Sequence, residues 1–303
     1  MRAELTLVVA GLSAALLSST TAHAADVPAP AVPPPATAPQ TIHPIKPDLF
    51  MVTGGGGNST IRITPDGLIV IDSKNPGQQF YGDLMAQIRT VSQAPVKFLI
   101  DTHHHADHTG NNGLFLASGA QVIAQKNLPA ELDKFVPPAN NPDLKVPAKP
   151  SFTYDKAYTV KLGGKTVRLT HYSPAHTSAD TIVYFPELKV VAMGDELNAL
   201  APNIDYAGGG NLAGFVNSLD QTLKLDWDWA VPGHGAEPWT KAQVKVYRDK
   251  LETLLGRARA SVEAGTPKDG FIASLKSTEL WSFPSGFWND SRTNGLWAEV
   301  GGR

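Results

Sequence analysis

Apolar residues follow two spacings along this chain, and the switch between them marks out its elements. Residues 60–63, 68–72, 96–100, 167–172, 190–193 and 229–231 are β-branched or apolar runs bounded by turn residues, and they read as strands. Phe80, Leu84, Met85, Ile88 and Val91 recur at helical steps instead, which predicts an amphipathic helix over 77–92 that covers a sheet. Gly163-Gly164 joins 157–162 to 165–172 as a hairpin. Asn211 predicts the N-cap of a helix bearing Leu212, Phe215, Val216, Leu219 and Leu223. Thr240 and Gln243 spell a capping box before a long helix whose apolar face is Val244, Tyr247, Leu251, Leu254, Ala258 and Val262. Gly265 and Pro267 end it. Strands followed by a helix, twice over, predict an α/β protein of αββα layering, with two β-sheets sandwiched between helices.

One glycine run invites a different reading. Residues 54–57 are all glycine, but a phosphate loop carries Gly-Lys-Ser/Thr and feeds a helix, whereas here a strand follows. The run is expected to be a tight turn between strands.

Composition changes the picture mainly at the ends of the 303 residues. Arg2, the apolar stretch 5–17 and Ala22-His23-Ala24 form a secretory signal, so cleavage is expected after Ala24, with a periplasmic or secreted product. That stretch is too short to span a bilayer, so no membrane insertion is expected after cleavage. Residues 25–46 are rich in Pro and Ala and are expected to form an extended linker. Residues 47–265 then make one domain, and 266–303, with Trp281, Phe283, Phe287, Trp288 and Trp297, an extension packed on it. There is no cysteine, which excludes disulfides, thiolate ligands and an N-terminal lipid anchor on Cys. Net charge is −2 with no basic block, so neither nucleic acid nor an anionic membrane surface is an expected partner. The expected partner is a small-molecule substrate, and nothing in the pattern specifies an oligomer.

The chemistry is concentrated in Asp101-Thr-His-His-His-Ala-Asp-His-Thr-Gly110. It follows a strand, and residues two apart at a strand end point the same way, so His103 and His105 are expected to reach one metal ion together. Asp107 and His108 then turn toward a second. A histidine-rich surface turn would stand alone. Here His176, Asp195 and His234 each sit in a Gly- or Pro-bounded loop after an apolar run, and strand ends converging on one sheet edge would gather all seven side chains.

The order His-x-His-x-Asp-His, then His, Asp and His, resembles the metallo-β-lactamase superfamily across residues 48–265. The resemblance implies that fold, with two mixed sheets flanked by helices. It also implies that His103, His105 and His176 hold one ion, that Asp107, His108 and His234 hold another, and that Asp195 bridges them. Asp72 looks like the family aspartate that supports the metal loops from behind, although a carboxylate there would equally cap the next turn. The expected cofactor is Zn2+, two per chain, in a donor set that also suits iron or manganese. Such a pair lowers the pKa of a shared water toward about 7 and polarises a carbonyl. Asp107 is the expected proton acceptor.

An exported metal-dependent hydrolase of β-lactam, lactone, ester or thioester bonds follows from this. A non-haem iron oxidoreductase on the same fold is the alternative. Asp195 stands where one β-lactamase branch has cysteine, and Asn198 where that branch has a lysine that grips the drug carboxylate. Asn211 looks like the asparagine those enzymes place near the lactam carbonyl, but it also suits a helix N-cap. The rims expected to select substrate are 135–155, including Pro137, Pro138, Asn140 and Asn141, and 197–211, including Tyr206 and Gly208 to Gly210. Asn198, Tyr206 and Asn211 are the candidate substrate contacts.

Overall fold

The structure, a computed structural model, describes residues 27–35, 37–137, 142, 144–283 and 285–302. The expected signal peptide lies outside these residues, as do Pro138, Asn140 and Asn141 of one expected rim.

Seven strands form the first sheet in chain order: β1 (Thr41–Lys46), β2 (Leu49–Thr53), β3 (Ser59–Thr64), β4 (Gly67–Ile71), β5 (Val96–Ile100), β6 (Gln121–Gln125) and β7 (Phe152–Tyr154). The second holds β8 (Ala157–Leu162), β9 (Lys165–Thr170), β10 (Ile182–Phe185), β11 (Val190–Ala192), β12 (Trp229–Val231) and β13 (Trp239–Thr240). Helices α1 (Gln78–Arg89), α2 (Ala106–Thr109), α3 (Asn112–Ala117) and α4 (Leu128–Leu132) fall between strands of the first sheet. Helices α5 (Leu212–Leu223), α6 (Lys241–Glu263), α7 (Phe271–Ser274) and α8 (Asp290–Glu299) belong to the second half. No helix among the described residues is long and apolar enough to cross a membrane.

The αββα layering follows from which side chains are apolar on both faces. In β4 every residue is buried: Leu68 and Val70 pack with Leu84 and Ile88 of α1, while Ile69 and Ile71 face Val167, Leu169 and Val183 of the other sheet. A strand covered on both sides reads as a continuous apolar run for this reason. The second sheet repeats the arrangement, with α5 and α6 packed on its outer face around Phe215, Leu219, Val244 and Leu251. Helix starts are as the sequence spells them. Asn211 Oδ1 accepts from Gly214 N at 2.6 Å, and Thr240 and Gln243 cap each other reciprocally.

Strand direction decides where the loops meet. β4 and β5 are parallel, and so are β11 and β12; β9 lies two antiparallel steps from β11 and therefore runs the same way. The segments that follow these strands carry Asp72, residues 103–108, His176, Asp195 and His234. Ligand sites in open α/β sheets form at such carboxyl ends.

Two boundaries differ from expectation. Residues 41–46, assigned to the linker, form β1, a mostly exposed edge strand whose pairing slips near Pro44. A strand with no buried residue imposes no apolar alternation, and proline is tolerated at an edge, so the pattern hid the strand. Residues 27–35 are not a free tether either: Ala236 N donates to Ala31 O at 3.3 Å and Gln243 Nε2 to Pro28 O at 3.0 Å. The extension lies against the domain, with Phe271, Leu275, Leu296 and Trp297 buried in the α5–α6 core.

Candidate metal centre

Strand β5 ends at Ile100, and the chain bends through 102–104 before the single turn of α2. His103 and His105 are therefore brought together by a bend, not by strand alternation, and His108 projects from a helical turn. Asp72 organises this segment from below. Its Oδ1 accepts from Thr102 N at 2.8 Å, and its Oδ2 from Thr102 Oγ1 and His108 Nδ1, both at 2.7 Å. Thr102 Oγ1 in turn lies 3.0 Å from His103 Nδ1. Both imidazoles are thereby oriented with Nε2 toward the centre of the site, the arrangement that fixes a ligand's tautomer. Two glycines admit the rings and carboxylate: a Cβ on Gly57 would overlap the His108 ring, and one on Gly233 would overlap Asp195 Oδ1.

The side chains converge in two adjoining groups. In the first, His105 Nδ1 lies 3.2 Å from His103 Nε2 and 3.1 Å from His176 Nε2. The backbone carbonyl of Asn203 accepts from His176 Nδ1 and aims that ring. In the second, His234 Nε2 lies 3.2 Å from Asp107 Oδ2 and 3.5 Å from His108 Nε2. Asp195 belongs to both. Its Oδ1 is 3.2 Å from His108 Nε2 and 3.3 Å from His234 Nε2, and its Oδ2 is 3.8 Å from His176 Nε2.

These spacings suit metal ions. Donors about 2.1 Å from a tetrahedral ion stand roughly 3.4 Å from one another, close to the separations seen between the imidazole nitrogens. Asp195 Oδ1 is buried and makes no hydrogen bond despite two imidazole nitrogens nearby, as expected where lone pairs point at a common centre. His103, His105, His176 and Asp195 form one metal-capable set, and Asp107, His108 and His234 another.

Electrostatics differs between the groups, with His105 the exception in the first: burial opposes its charge, but Asp205 and Asp195 outweigh that and raise it. Burial, then neighbouring imidazoles, holds His103 well below the usual histidine range and takes His176 down to about 3, so both are neutral donors. Burial opposes charge on His234 too, but Asp195 and Asp107 outweigh it and raise the ring to about 10. His108 is raised in the same way by Asp107, Asp72 and Asp195. Three carboxylates thus draw positive charge into the second group, and imidazolium protons or a metal ion answers it.

Several supporting residues carry no sequence signal of their own. Asp205 Oδ2 lies 2.9 Å from His105 Nε2 and 3.7 Å from His104 Nε2, which makes His104, His105 and Asp205 a third metal-capable set. Asp180 accepts from Ala175 N, Thr177 N and Thr177 Oγ1 and shapes the turn that presents His176. Lys74 is fully buried, donates to Val52 O and Gly57 O, and is pushed down to about 7 by desolvation. Gly57 N in turn donates to Asp107 O at 3.1 Å, so Lys74 braces the glycine turn under the second group.

The substrate-contact candidates are placed differently. Asn211 spends its side chain capping α5. The Tyr206 hydroxyl donates to Glu299 of α8 at 2.7 Å. Asn198 pairs through its backbone with His234, while its Oδ1 accepts from Leu200 N at 3.0 Å. Of the rim glycines, Gly208 lines a cleft of about 260 Å³ beside His105, together with His104, Leu132, Lys134 and Phe135.

The family model described as the metallo-beta-lactamase superfamily matches residues 52–234. The chain belongs to this superfamily. The 2,4-dinitroanisole O-demethylase subunit alpha of Nocardioides sp. (strain JS1661) is 26% identical over 213 residues, 69% of this chain and 62% of that protein. Metallo-beta-lactamase IND-1 of Chryseobacterium indologenes is 26% identical over 204 residues, 63% of this chain and 80% of that protein. Among solved structures, the stereoselective inverting sec-alkylsulfatase Pisa1 from Pseudomonas sp. superposes with a TM-score of 0.64 at 17% identity, covering 86% of this chain and 50% of that one. A metallo-beta-lactamase from Pontibacter korlensis gives 0.60 at 18% identity, covering 70% and 99%. The matches to the O-demethylase subunit and the alkylsulfatase thus reach less than two thirds of those proteins' lengths. The structural likenesses show the fold: two mixed β-sheets between helices.

Proposed function

We propose that this superfamily member is a metal-dependent hydrolase that holds two zinc ions side by side and cleaves small acyl compounds. The observation that carries the reading is the placement of Asp195. One of its oxygens faces His108 and His234 and the other faces His176, so a single buried carboxylate serves both groups.

On this reading His103, His105 and His176 hold one ion, Asp107, His108 and His234 the other, and Asp195 is shared. When bound, the ions supply water activated near neutral pH and polarise the substrate's carbonyl. Asp107 has the second task. Its side chain is 30% exposed against 4% for Asp195, and nearby His108 and His234 keep it ionised, so it can take a proton from water and pass it to the leaving group. The cleft beside His105 admits a small substrate, with Phe135 and Leu132 as apolar wall and Lys134, paired with Glu131 at 2.8 Å, on its polar side. A β-lactam, lactone, ester or thioester is the substrate class on this reading, and the β-lactamase relative supports the first of these.

The test is a panel assay of the zinc-loaded protein on β-lactams, lactones, thioesters, alkyl sulfates and 2,4-dinitroanisole. Chelator-sensitive hydrolysis of at least one acyl substrate is the expected result. Activity that survives chelation would overturn the mechanism. A coloured, redox-active iron centre without hydrolysis would replace it with an oxidoreductase.

A further inference from the structure

Behind the His234 loop lies a cavity of about 380 Å³ that none of the metal-capable side chains lines. Its walls are aromatic. Trp239 and Tyr247 meet edge to face at 5.4 Å, and Tyr247 and Trp281 at 5.7 Å, while Val246 of α6 and the arm at Pro28 close other sides. The volume lies within the range of roughly 300–1,000 Å³ typical of small-molecule pockets.

Two polar atoms in these walls lack partners. Trp239 is 1% exposed and Tyr247 5%, yet neither the indole Nε1 nor the phenol oxygen makes a hydrogen bond. The Asn198 backbone lies beside the Tyr247 hydroxyl. Buried donors of this kind are ordinarily satisfied, and the unmatched indole N–H lies beside Gly235. The rim adds two charges, Lys250 and Asp249, and the carboxylate is taken up by Lys245 and Arg248. Lys250 Nζ lies 5.6 Å from the Trp281 ring centroid and has no carboxylate partner among the described residues. Its neighbours Lys245 and Arg248 are already paired with Asp249, Asp220 and Glu252.

We propose that this cavity is a second binding site, separate from the metal centre, for a small aromatic carboxylate. The ring would lie against Trp281 over the packed Trp239–Tyr247 pair, and the carboxylate would answer Lys250. Aromatic edge-to-face packing supplies the affinity for a ring, and the unpaired ammonium selects an anion over a neutral aromatic.

The probe is 2-naphthoate, titrated into the zinc-loaded full chain and followed by tryptophan fluorescence and calorimetry. Saturable one-to-one binding is expected, retained in His108→Ala and His234→Ala. Thr253→Trp fills the cavity from an exposed helical position and should abolish it; Val246→Trp is a second filling variant should the first perturb folding. Lys250→Gln should weaken binding roughly two- to fivefold, the range of a partly exposed ion pair. Naphthalene binding as tightly as naphthoate would overturn the choice of ligand. Absence of saturation, or binding that survives both filling variants and vanishes in His234→Ala, would overturn the site.

Discussion

Asp205 Oδ2 stands 2.9 Å from Nε2 of His105, and this contact decides which nitrogen of that ring faces the other histidines. With the Nε2 proton given to Asp205, Nδ1 is left as the lone-pair donor toward His103 and His176. Asp205→Ala should therefore weaken metal binding by His103, His105 and His176 about 10- to 100-fold, the usual cost of losing such an orienting partner. Competition with a chromophoric chelator would measure it. The Asp107, His108 and His234 group should be little affected, and an equal loss in both would mean that Asp205 supports only the loop.

Asp195→Asn tests the shared carboxylate. The amide keeps the shape but loses the charge that screens two neighbouring dications. Metal analysis should show the second ion lost more than the first, and turnover lost with it. Retention of both ions at unchanged activity would reduce Asp195 to a turn residue.

His234 carries a pH signature in chelator-treated protein. Its folded-state pKa is raised from 6.5 to about 10, so its contribution to stability is complete below about 6.5 and is lost as pH rises through about 10. The stability gap between wild type and His234→Gln, read from denaturant midpoints, should shrink steadily across that window. A gap that widened with pH would contradict the assignment of Asp195 and Asp107 as its charge partners.

Zinc binding should release protons unequally. His108 and His234 are raised by carboxylates while His103 and His176 are depressed by burial, so filling the second group displaces more protons than filling the first. Calorimetry in buffers of different ionisation enthalpy separates the two events, and equal release at both would refute the division.

Truncation after residue 265 should cost solubility. Phe271, Leu275, Leu296 and Trp297 are buried against α5 and α6, and Glu299 accepts from Leu212 N and Ala213 N at the start of α5. Leu296→Ala alone should destabilise by about 2–5 kcal/mol. A truncated chain with unchanged melting temperature would show the extension to be dispensable.

Export is read from residues outside those the structure describes. N-terminal sequencing of the mature protein should begin at Ala25, and cytoplasmic retention with Met1 intact would count against the signal.

The sequence by itself determined the layers and most of the metal-capable residues. A strand covered on both faces must be apolar throughout, as in β4, and a helix lying on a sheet must repeat its apolar residues at helical steps, as in α1. Caps such as Asn211 and Thr240 act within three residues of themselves, so local sequence suffices to specify them. His103, His105, Asp107 and His108 were legible because they fall in one short segment, and His176, Asp195 and His234 because each ends an apolar run. The edge strand β1 was not legible, since none of its residues is buried and so no apolar alternation is imposed. Asp205 and Lys74 were decided only by tertiary structure. Each is an ordinary polar residue in sequence, and its role arises from a partner distant in the chain: His105 for Asp205, Val52 and Gly57 for Lys74. The same holds for Tyr206, whose hydroxyl is taken by Glu299 of α8. A hydroxyl or amide satisfies whichever partner folding brings to it, and only the packed chain says which one arrives.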